Sequence, residues 1–538
     1  MIDLLIVNAN VLTMDPARPR AQSVAVAGGR IVALDADGPA SEVVDLHGRT
    51  LLPGFHDAHN HMAWFGMSLT EVDLSPTAVT SLDELYAAIA RRARETSEDD
   101  WVVGSGYDQN RLGGQHPDRD GLESAAPGRR VMLRHVSGHM CVVSGAVLAD
   151  LNIADRPVDV SGGTVVTDAD GRPTGLLQER AQELTDTLLR PYPLAFLTDA
   201  IDRAGARYLS EGITSVTEAG IGGGWIGHTP VELAAYQAAR DAGRLPVRVE
   251  LMVASDVLHP VGAHPSDDLP LGLDLGIRTG FGDDWLRVGA MKLFTDGSLI
   301  GRTAAMSFDY AGMPGNQGYF QGDAAELTDR IVAAHRSGWQ VASHAIGDRA
   351  IDLALDAYAA ASSRFPRPAV RHRIEHFGVS RPDQVARAAS LGVVAVPQGR
   401  FASEIGDGML AAVGPSRGEW LYRQRSLLDA GMVLPGSSDR PVSNGAPLLG
   451  VHDMVNRRTA SGAPFNAGEA ITASEALRAY TYGSAYASHL EQARGTIAPG
   501  MLADLVVLSD DPTAVSPAGI GDIQVLATYV DGECRFSV

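Results

Sequence analysis

Apolar, strand-like runs alternate with helix signals between Pro53 and Leu490, and this alternation constrains the fold more than any other feature of the chain. Such an alternation is typical of parallel βα units, in which each strand is followed by a helix that packs on the sheet. Eight strand candidates are present, the number that a closed (β/α)8 TIM-like barrel of the α/β class requires. They are the run that ends before His59 and residues 213–217, 247–253, 286–294, 340–343, 372–375, 393–396 and 432–434.

Three capping boxes predict where helices begin. Ser81-Leu-Asp-Glu84, Asp323-Ala-Ala-Glu326 and Thr472-Ala-Ser-Glu475 each place a capping side chain three residues before a glutamate. The stretch after the first strand, at about residues 64–185, holds apolar segments and turns of its own. We therefore expect an inserted subdomain there, within a barrel domain that spans residues 53–490.

The two ends of the chain have a different pattern. Residues 3–52 form short strand-like runs separated by Gly28-Gly29 and His47-Gly48, and residues 503–508 and 525–530 continue this pattern at the C-terminus. Neither end is large enough to bury a core alone. The sequence therefore predicts one composite β-sandwich domain, built from residues 1–52 and 491–538.

The composition excludes several classes of partner. A net charge of −21 repels phosphate backbones and anionic lipid, so neither nucleic acid nor a membrane is expected. Cys141 and Cys534 lie far apart, which favours free thiols in a reducing compartment. The first ten residues lack the basic region of a secretory signal, and no apolar run approaches the ~20 residues of a membrane span. A cytoplasmic protein is expected, and the sequence leaves a homodimer open.

Residues that commonly bind metals recur at the ends of the strand candidates. His59 and His61 are two residues apart, so on an extended strand both imidazoles point to the same side. In a βα barrel the active site lies at the C-terminal ends of the strands, where these side chains would meet. Imidazole and carboxylate groups suit zinc, manganese or iron. The predicted metal-binding residues are His59, His61, Lys292, His344, His376 and Asp439.

Each of these residues also has a structural explanation. Lys292 could pair with Asp296, and Asp439 could cap a turn. His344 could bind local backbone at a helix start, and His376 could be a core histidine that is bound by Glu375 or another carboxylate. The coincidence of all six at one rim favours the metal site over these separate explanations.

Longer motifs surround these residues. They are Pro53-Gly-Phe-His-Asp-Ala-His-Asn-His61, Met291-Lys-Leu-Phe-Thr-Asp-Gly-Ser298, His344-Ala-Ile-Gly-Asp-Arg-Ala350, Arg373-Ile-Glu-His376, Ser438-Asp-Arg-Pro-Val442 and Gly495-Thr-Ile-Ala-Pro-Gly-Met-Leu-Ala-Asp-Leu-Val-Val507. Together they resemble the amidohydrolase superfamily, and more narrowly amidohydrolase family 3, which includes deformylases of N-substituted formamides. The resemblance covers essentially the whole chain. It extends into the insertion through Arg134-His-Val-Ser-Gly-His139, Gly171-Arg-Pro-Thr-Gly-Leu-Leu177 and Glu179-Arg-Ala181.

The resemblance implies a role for each predicted residue. His59 and His61 would bind one divalent metal, for which zinc is favoured, and His344 and His376 would bind a second. Lys292 would bridge the two ions as N6-carboxylysine, a carbamate formed with carbon dioxide. Glu179 is a competing bridge, but we expect it to support the metal ligands or to lie at the substrate side. Asp439 would bind metal and serve as the catalytic proton shuttle.

Two departures from the family's pattern affect substrate contacts rather than metal binding. His56 stands where these motifs usually carry an apolar residue, and Val143-Ser-Gly145 replaces the usual asparagine-serine pair. The substrate end would be lined by His139, Tyr107, Asp108, Glu179 and Arg302.

The resulting prediction is a metal-dependent amidohydrolase that hydrolyses the carbon–nitrogen bond of an amide or formamide in a small molecule. A metal-activated hydroxide would attack the carbonyl carbon, and Asp439 would transfer the proton to the leaving nitrogen. The same site could also hydrolyse an ester, a carbamate or a cyclic amide. A metal-dependent binding protein without catalysis is the alternative from another class.

Overall fold

The structure is a computed structural model that describes residues 1–224, 226–264 and 266–538. Its centre is a sheet of seven strands, in which every neighbouring pair is parallel and the order in the sheet follows the order in the chain. Most of these residues are buried on both faces, as in parallel sheets that are covered by helices. The strands are β1 (Phe55–Asn60), β2 (Ile213–Ile221), β3 (Arg248–Ala254), β4 (Leu286–Phe294), β5 (Val341–Ala345), β6 (Arg373–His376) and β7 (Val394–Val396).

The predicted eighth strand at residues 432–434 is wrong, because this segment has no strand conformation. Residues 436–440 lie along β1 instead, where Ala58 N donates to Gly436 O at 3.0 Å and Asp439 N donates to His59 O at 2.8 Å. Pro397 and Pro435 have no N–H to donate, which prevents a regular ladder with β7. The barrel is therefore nearly closed, with an irregular segment in the eighth position.

Sixteen α-helices are assigned in the described part of the chain. The three predicted capping sites are confirmed: the side chains of Ser81, Asp323 and Thr472 each accept a hydrogen bond from a first-turn backbone N–H. The helices are Met62–Ser68, Leu82–Glu95, Arg119–Ala125, Gly145–Asp150, Glu183–Leu189, Leu194–Ser210, Glu232–Asp241, Ala324–Arg336, Asp348–Arg364, Pro382–Ser390, Phe401–Glu404, Gly406–Val413, Gln424–Asp429, Pro447–Asn456, Ala473–Arg478 and Ser484–Ala487.

Both ends of the chain contribute to one six-stranded sheet. Thr50–Pro53 pairs antiparallel with Leu505–Leu508, and the other strands of this sheet are Asn10–Leu12, Arg20–Ala21, Val525–Val530 and Glu533–Ser537. The N-terminal residues also form a four-stranded sheet of Ile2–Val7, Val24–Ala27, Arg30–Leu34 and Ala40–Asp45. Buried aliphatic side chains from the two sheets, such as Ile6 and Val507, belong to one hydrophobic cluster.

A second six-stranded sheet lies between β1 and β2 in the sequence. Its strands, in spatial order, are Gly163–Thr167, Pro173–Glu179, Met140–Val143, Val131–His135, Val102–Tyr107 and Val72–Asp73. Hydrophobic clusters of its own, around residues such as Leu133 and Leu177, support this sheet.

Within the described ranges, no helix is both long enough and apolar enough to cross a membrane.

Candidate metal centre

All six predicted metal-binding side chains lie at the C-terminal end of the barrel and line one cavity of about 30 Å³. A water molecule needs only ~10–15 Å³ of such space, so the cavity has room for an ion or a small polar group but not for a large ligand. These residues are His59, His61, Lys292, His344, His376 and Asp439. The sequence placed them at one rim, and the structure brings them to one end of the barrel.

The tightest group consists of His59, His376 and Asp439, whose potential ligand atoms all lie within 4.8 Å of one another. Asp439 Oδ1 lies 3.2 Å from His59 Nε2 and 3.2 Å from His61 Nε2. Burial raises the pKa of Asp439, but the neighbouring His59 and His61 hold it well below its usual value. The group takes one histidine from each predicted pair, so the division of the histidines between two ions stays a prediction.

Glu375 orients His59. Its carboxylate accepts a short hydrogen bond from His59 Nδ1, which places the proton on Nδ1 and leaves Nε2 as a ligand atom that faces the cavity. Arg373 donates to the same carboxylate from Nε at 2.7 Å and from Nη2 at 3.0 Å. Burial raises the pKa of Glu375, but Arg373 and His59 lower it by more. The pKa therefore lies well below its usual value, and the carboxylate is ionised.

Glu218, at the C-terminal part of β2, occupies the corresponding place beside His61. Its Oε1 lies 3.5 Å from His61 Nδ1, while its Oε2 accepts hydrogen bonds from Tyr236 Oη at 2.6 Å and from Ala63 N at 3.2 Å. Burial lowers the pKa of His61, but the carboxylates of Asp439 and Glu218 raise it to about 9. His61 is therefore protonated at neutral pH when no cation competes for Asp439.

The other two histidines are held in neutral form. Burial lowers the pKa of His376 to about 3, and its Nδ1 lies 2.8 Å from Oε1 of the Gln398 amide rather than near a carboxylate. Burial also lowers the pKa of His344 well below its usual value, and its Nδ1 is buried without a hydrogen-bond partner in the described part of the chain. Neutral imidazoles are the form that binds metal.

The backbone at this rim is unusual. His376 has a φ of 71° and Asp439 a φ of 59°, so both occupy the left-handed region that residues other than glycine rarely adopt. Such conformations persist only where the surroundings hold them, and they are common at functional sites. Asp57 helps to hold the second segment, because its carboxylate accepts hydrogen bonds from the backbone N–H and the hydroxyl of Ser438.

Lys292 is almost fully buried and does not form the ion pair with Asp296 that a structural role predicts. Its Nζ lies 3.4 Å from His59 Nε2 and 5.0 Å from the centre of the Phe294 ring. Asp296 instead accepts backbone hydrogen bonds from Ala305, Ile346 and Gly347, and burial raises its pKa to about 8. Burial lowers the pKa of Lys292 to about 8, despite the opposing charges of Glu375 and Asp439.

The inserted sheet contributes a histidine–glutamate pair to the cavity. His139 lines the cavity, its ring lies 5.0 Å from that of His344, and its Nδ1 lies 2.7 Å from Glu179 Oε2. Thr303 and Gln321 donate further hydrogen bonds to the buried Glu179 carboxylate. Glu179 therefore supports His139 rather than lining the cavity itself.

The remaining predicted substrate residues do not line this cavity. Tyr107 belongs to a hydrophobic cluster of the inserted sheet and bonds to His116, and Asp108 caps the short helix that follows it. Arg302 Nη1 donates to the carbonyls of Leu299 at 3.3 Å and Gly408 at 3.4 Å. Contact of these three residues with substrate stays a prediction.

Sequence reasoning missed Glu218 and Gln398, and it considered Glu375 only as a partner of His376. Glu218 directly follows the second predicted strand, and Gln398 lies two residues after the seventh. Their positions at the carboxyl ends of strands were therefore a usable signal. His56 points elsewhere, with its Nε2 3.3 Å from Thr217 Oγ1.

These residues fit a divalent cation. Histidine imidazoles and an ionised carboxylate line one small cavity, and carboxylates lie beside two of the histidines. The buried Nδ1 of His344 has no hydrogen-bond partner among the described residues. Carboxylate–histidine pairs of this kind are typical of metal sites.

Comparisons with known proteins identify the family of this chain. The sequence profile of the amidohydrolase family matches residues 42–536. Amidohydrolase YtcJ of Bacillus subtilis (strain 168) is 31% identical over 502 residues, covering 92% of this chain and 90% of the relative. N-substituted formamide deformylase of Arthrobacter pascens is 31% identical over 552 aligned positions, covering 100% of this chain and 98% of the relative.

A solved structure gives the same result. The crystal structure of an uncharacterized metal-dependent hydrolase from Pyrococcus horikoshii OT3 has a TM-score of 0.74 and 27% sequence identity, and the match covers 96% of this chain and 99% of that one. The resemblance drawn from the sequence motifs is thereby confirmed. The chain belongs to the amidohydrolase family and is an enzyme, a metal-dependent hydrolase.

Proposed function

We propose that this enzyme hydrolyses the carbon–nitrogen bond of an amide or formamide in a small molecule. The observation that carries the proposal is the position of Asp439, whose Oδ1 lies 3.2 Å from both His59 Nε2 and His61 Nε2. A carboxylate in that position can bind the same cation as the histidines and also exchange a proton with a reacting group. A relative of similar length is named N-substituted formamide deformylase, which supports this bond type.

The ligand assignment remains the one that the family resemblance implies. His59 and His61 would hold one ion, His344 and His376 a second, and Asp439 would also bind metal. Zinc is favoured because nitrogen and carboxylate ligands dominate the set, with manganese and iron as alternatives. Bound at this rim, the cation would supply ionised water at neutral pH and a positive charge beside the carbonyl.

We propose that Lys292 carries a carbamate. Its Nζ is buried beside His59 Nε2, and among the described residues no carboxylate lies within ion-pair distance of it. A buried ammonium without an ion pair is costly, and it would also repel a cation. The lowered pKa of about 8 increases the fraction of Lys292 that is a neutral amine at neutral pH. This amine adds to carbon dioxide and releases one proton, which gives the carbamate. The resulting anion suits the place between two ions.

The protein's own groups would then handle the proton. Asp439 would accept the proton of the attacking water and transfer it to the leaving nitrogen, because a general acid or base must lie within hydrogen-bond reach of the reacting atoms. His139, whose Nδ1 is fixed by Glu179, would orient the substrate across the cavity from Asp439.

The division of the chain into domains is also a proposal. Residues 53–490 would form the barrel domain, with the inserted subdomain at about residues 64–185. Residues 1–52 and 491–538 would form the composite β-sandwich. The shared six-stranded sheet and the single hydrophobic cluster at the chain ends support this division.

A panel of small amides, formamides, esters, carbamates and cyclic amides tests the proposal. The zinc-loaded protein should hydrolyse members of the amide or formamide group, and chelation should abolish turnover that zinc then restores. Esters or carbamates as the best substrates would support the alternative bond types. Tight metal binding with no turnover of any compound in the panel would contradict the proposed reaction.

A further inference from the structure

A second cavity of about 50 Å³ adjoins the metal-binding cavity. The two cavities share His61, Trp64, Gly138 and Ile226 as wall residues. The Trp64 ring lies 5.7 Å from the His61 ring. A molecule that places one group beside the histidines would therefore have to pass the Trp64 ring to place a second group in this space.

Gly138 has no side chain, which leaves room for the Trp64 ring in the wall between the two cavities. It has a φ of +71°, and a Cβ atom at this position would lie 2.7 Å from Cη2 of Trp64. A side chain at position 138 would therefore push the indole ring into one of the two cavities. The backbone at Gly138 thus allows the ring to separate them without filling either.

The other walls of the second cavity are amphipathic. Met132, Met140 and Ile226 supply apolar surface, which suits a short hydrocarbon stem. Polar groups from the inserted region complete the lining, and among them are Arg134 and Thr185. Such a combination of apolar walls with a few placed polar groups is typical of sites that fix the orientation of a small molecule.

Arg134 is a polar residue of this wall that has unused hydrogen-bond donors. Its Nη2 donates to Tyr192 Oη at 3.3 Å, and its Nε lies 3.5 Å from Glu71 Oε1. Among the described residues its Nη1 has no hydrogen-bond partner, although the side chain is only 14% exposed. A guanidinium carries five N–H donors, so Arg134 can donate to a ligand without giving up either contact.

Two further nitrogen atoms belong to side chains of this wall. Trp64 Nε1 and His228 Nδ1 are both buried, and neither has a hydrogen-bond partner within the described ranges. Buried polar atoms in proteins are nearly always hydrogen-bonded, so two unpartnered nitrogens around one cavity require an explanation.

We propose that the second cavity is a substrate subsite, the acceptor subsite, which binds a compact arm ending in a carbonyl or carboxylate oxygen. Arg134 is its specificity-determining residue, because its free N–H groups meet that oxygen. The assignment rests on the proposed function in one respect, which is that the scissile carbonyl occupies the metal-binding cavity. It narrows the substrate class to amides that carry a second oxygen acceptor close to the scissile bond.

Three amides of matched size test this assignment with the zinc-loaded enzyme. Their compact arms end in a carboxylate, a carboxamide or an isopropyl group. The two acceptor arms should exceed the isopropyl arm in kcat/KM by about tenfold or more, because a site built to donate hydrogen bonds discriminates against analogues that lack the acceptor. Equal kcat/KM values for the carboxylate and carboxamide arms indicate that the subsite binds a neutral oxygen acceptor. A higher value for the carboxylate arm indicates that it binds an anionic one. An isopropyl arm that reacts as fast as both would overturn the proposal.

Two variants test whether the preference for acceptor arms arises in the second cavity. Arg134→Met should reduce the ratio of acceptor-arm to isopropyl-arm kcat/KM by about tenfold or more, whereas the control Arg172→Met, at an exposed arginine in the same insertion, should leave it unchanged. Thr185→Leu narrows the cavity from another side and should also lower the ratio, which covers the case that Arg134→Met does not fold. An unchanged ratio in both folded variants contradicts the assignment.

Ketone analogues separate this proposal from the proposed function. With a methylene in place of the scissile nitrogen and the same three arms, they cannot be hydrolysed, and their binding is measured by calorimetry. If the enzyme hydrolyses none of the amides but the ketones still rank by acceptor and lose that ranking in Arg134→Met, the proposed reaction fails and the acceptor subsite stands. If the three ketones bind with the same affinity, the subsite proposal is contradicted even if the amides are hydrolysed.

Discussion

Glu375→Gln is expected to weaken metal binding although it removes no predicted metal ligand. The Glu375 carboxylate accepts hydrogen bonds from His59 Nδ1 and from Nε and Nη2 of Arg373. A glutamine keeps one neutral oxygen and replaces the other with an NH₂ group, so neither orientation of the amide reproduces all three hydrogen bonds. The orientation that we expect to weaken metal binding turns the NH₂ group to His59 Nδ1. That nitrogen must then accept, so the imidazole proton moves to Nε2, the atom that faces the cavity.

The expected magnitude follows from these contacts. Loss of a carboxylate that supports a metal-binding histidine typically costs ~10–100-fold in metal affinity, or about 1.4–2.7 kcal/mol. The variant also leaves the buried guanidinium of Arg373 with a neutral partner. Breaking a buried ion pair costs ~3–5 kcal/mol of folding stability, and the remaining amide oxygen places the expected loss near the lower end of that range.

Competition with a chromophoric chelator measures the zinc affinity of the variant, and thermal unfolding of the metal-free protein measures its stability. Glu419→Gln, at an exposed glutamate, is the matched control and should change neither quantity. Heteronuclear NMR of the imidazole nitrogens should show the His59 proton on Nδ1 in the parent protein and on Nε2 in the variant. A stability loss with unchanged zinc affinity and an unchanged tautomer would refute this reasoning.

Three further predictions concern protons and local stability. Because the pKa of His61 is raised to about 9 in the metal-free protein, His61 stabilises the fold most below its unfolded pKa of ~6.5 and less as the pH rises through 9. Zinc binding at pH 7.5 should therefore release this proton, and calorimetry in buffers of different ionisation enthalpy should detect the release; no buffer dependence would contradict it. Asp439→Asn should lower kcat by about 100-fold or more through loss of the proton shuttle, while Asp170→Asn, at an exposed aspartate, should not change it; turnover that survives unchanged excludes Asp439 from that role. Thr472→Ala removes the hydroxyl that accepts from Glu475 N, whereas the backbone N–H of residue 472 can still donate to the Glu475 carboxylate. The variant should cost about 1 kcal/mol in denaturant unfolding, and a cost near zero would show that the cap is not stabilising.

Much of this fold follows from local sequence patterns. Strand runs such as 286–294 are mostly apolar, and capping side chains such as Thr472 set helix starts through contacts with their own first turn. The rim position of His59, His344 and His376 also follows from the sequence, because each lies at the end of a strand and parallel strands end at one edge.

The tertiary structure decided what depends on contacts between distant segments. The segment at 436–440 pairs with β1 without forming a strand, since prolines remove the N–H groups that a ladder with β7 would need. The sequence put Glu375 beside His376, yet the barrel turns its carboxylate to His59, and Gln398 takes its place at His376. The sequence by itself therefore determined which residue types stand at the rim, because strand ends are local, whereas the hydrogen-bond partner of each histidine depends on how the neighbouring strands pack.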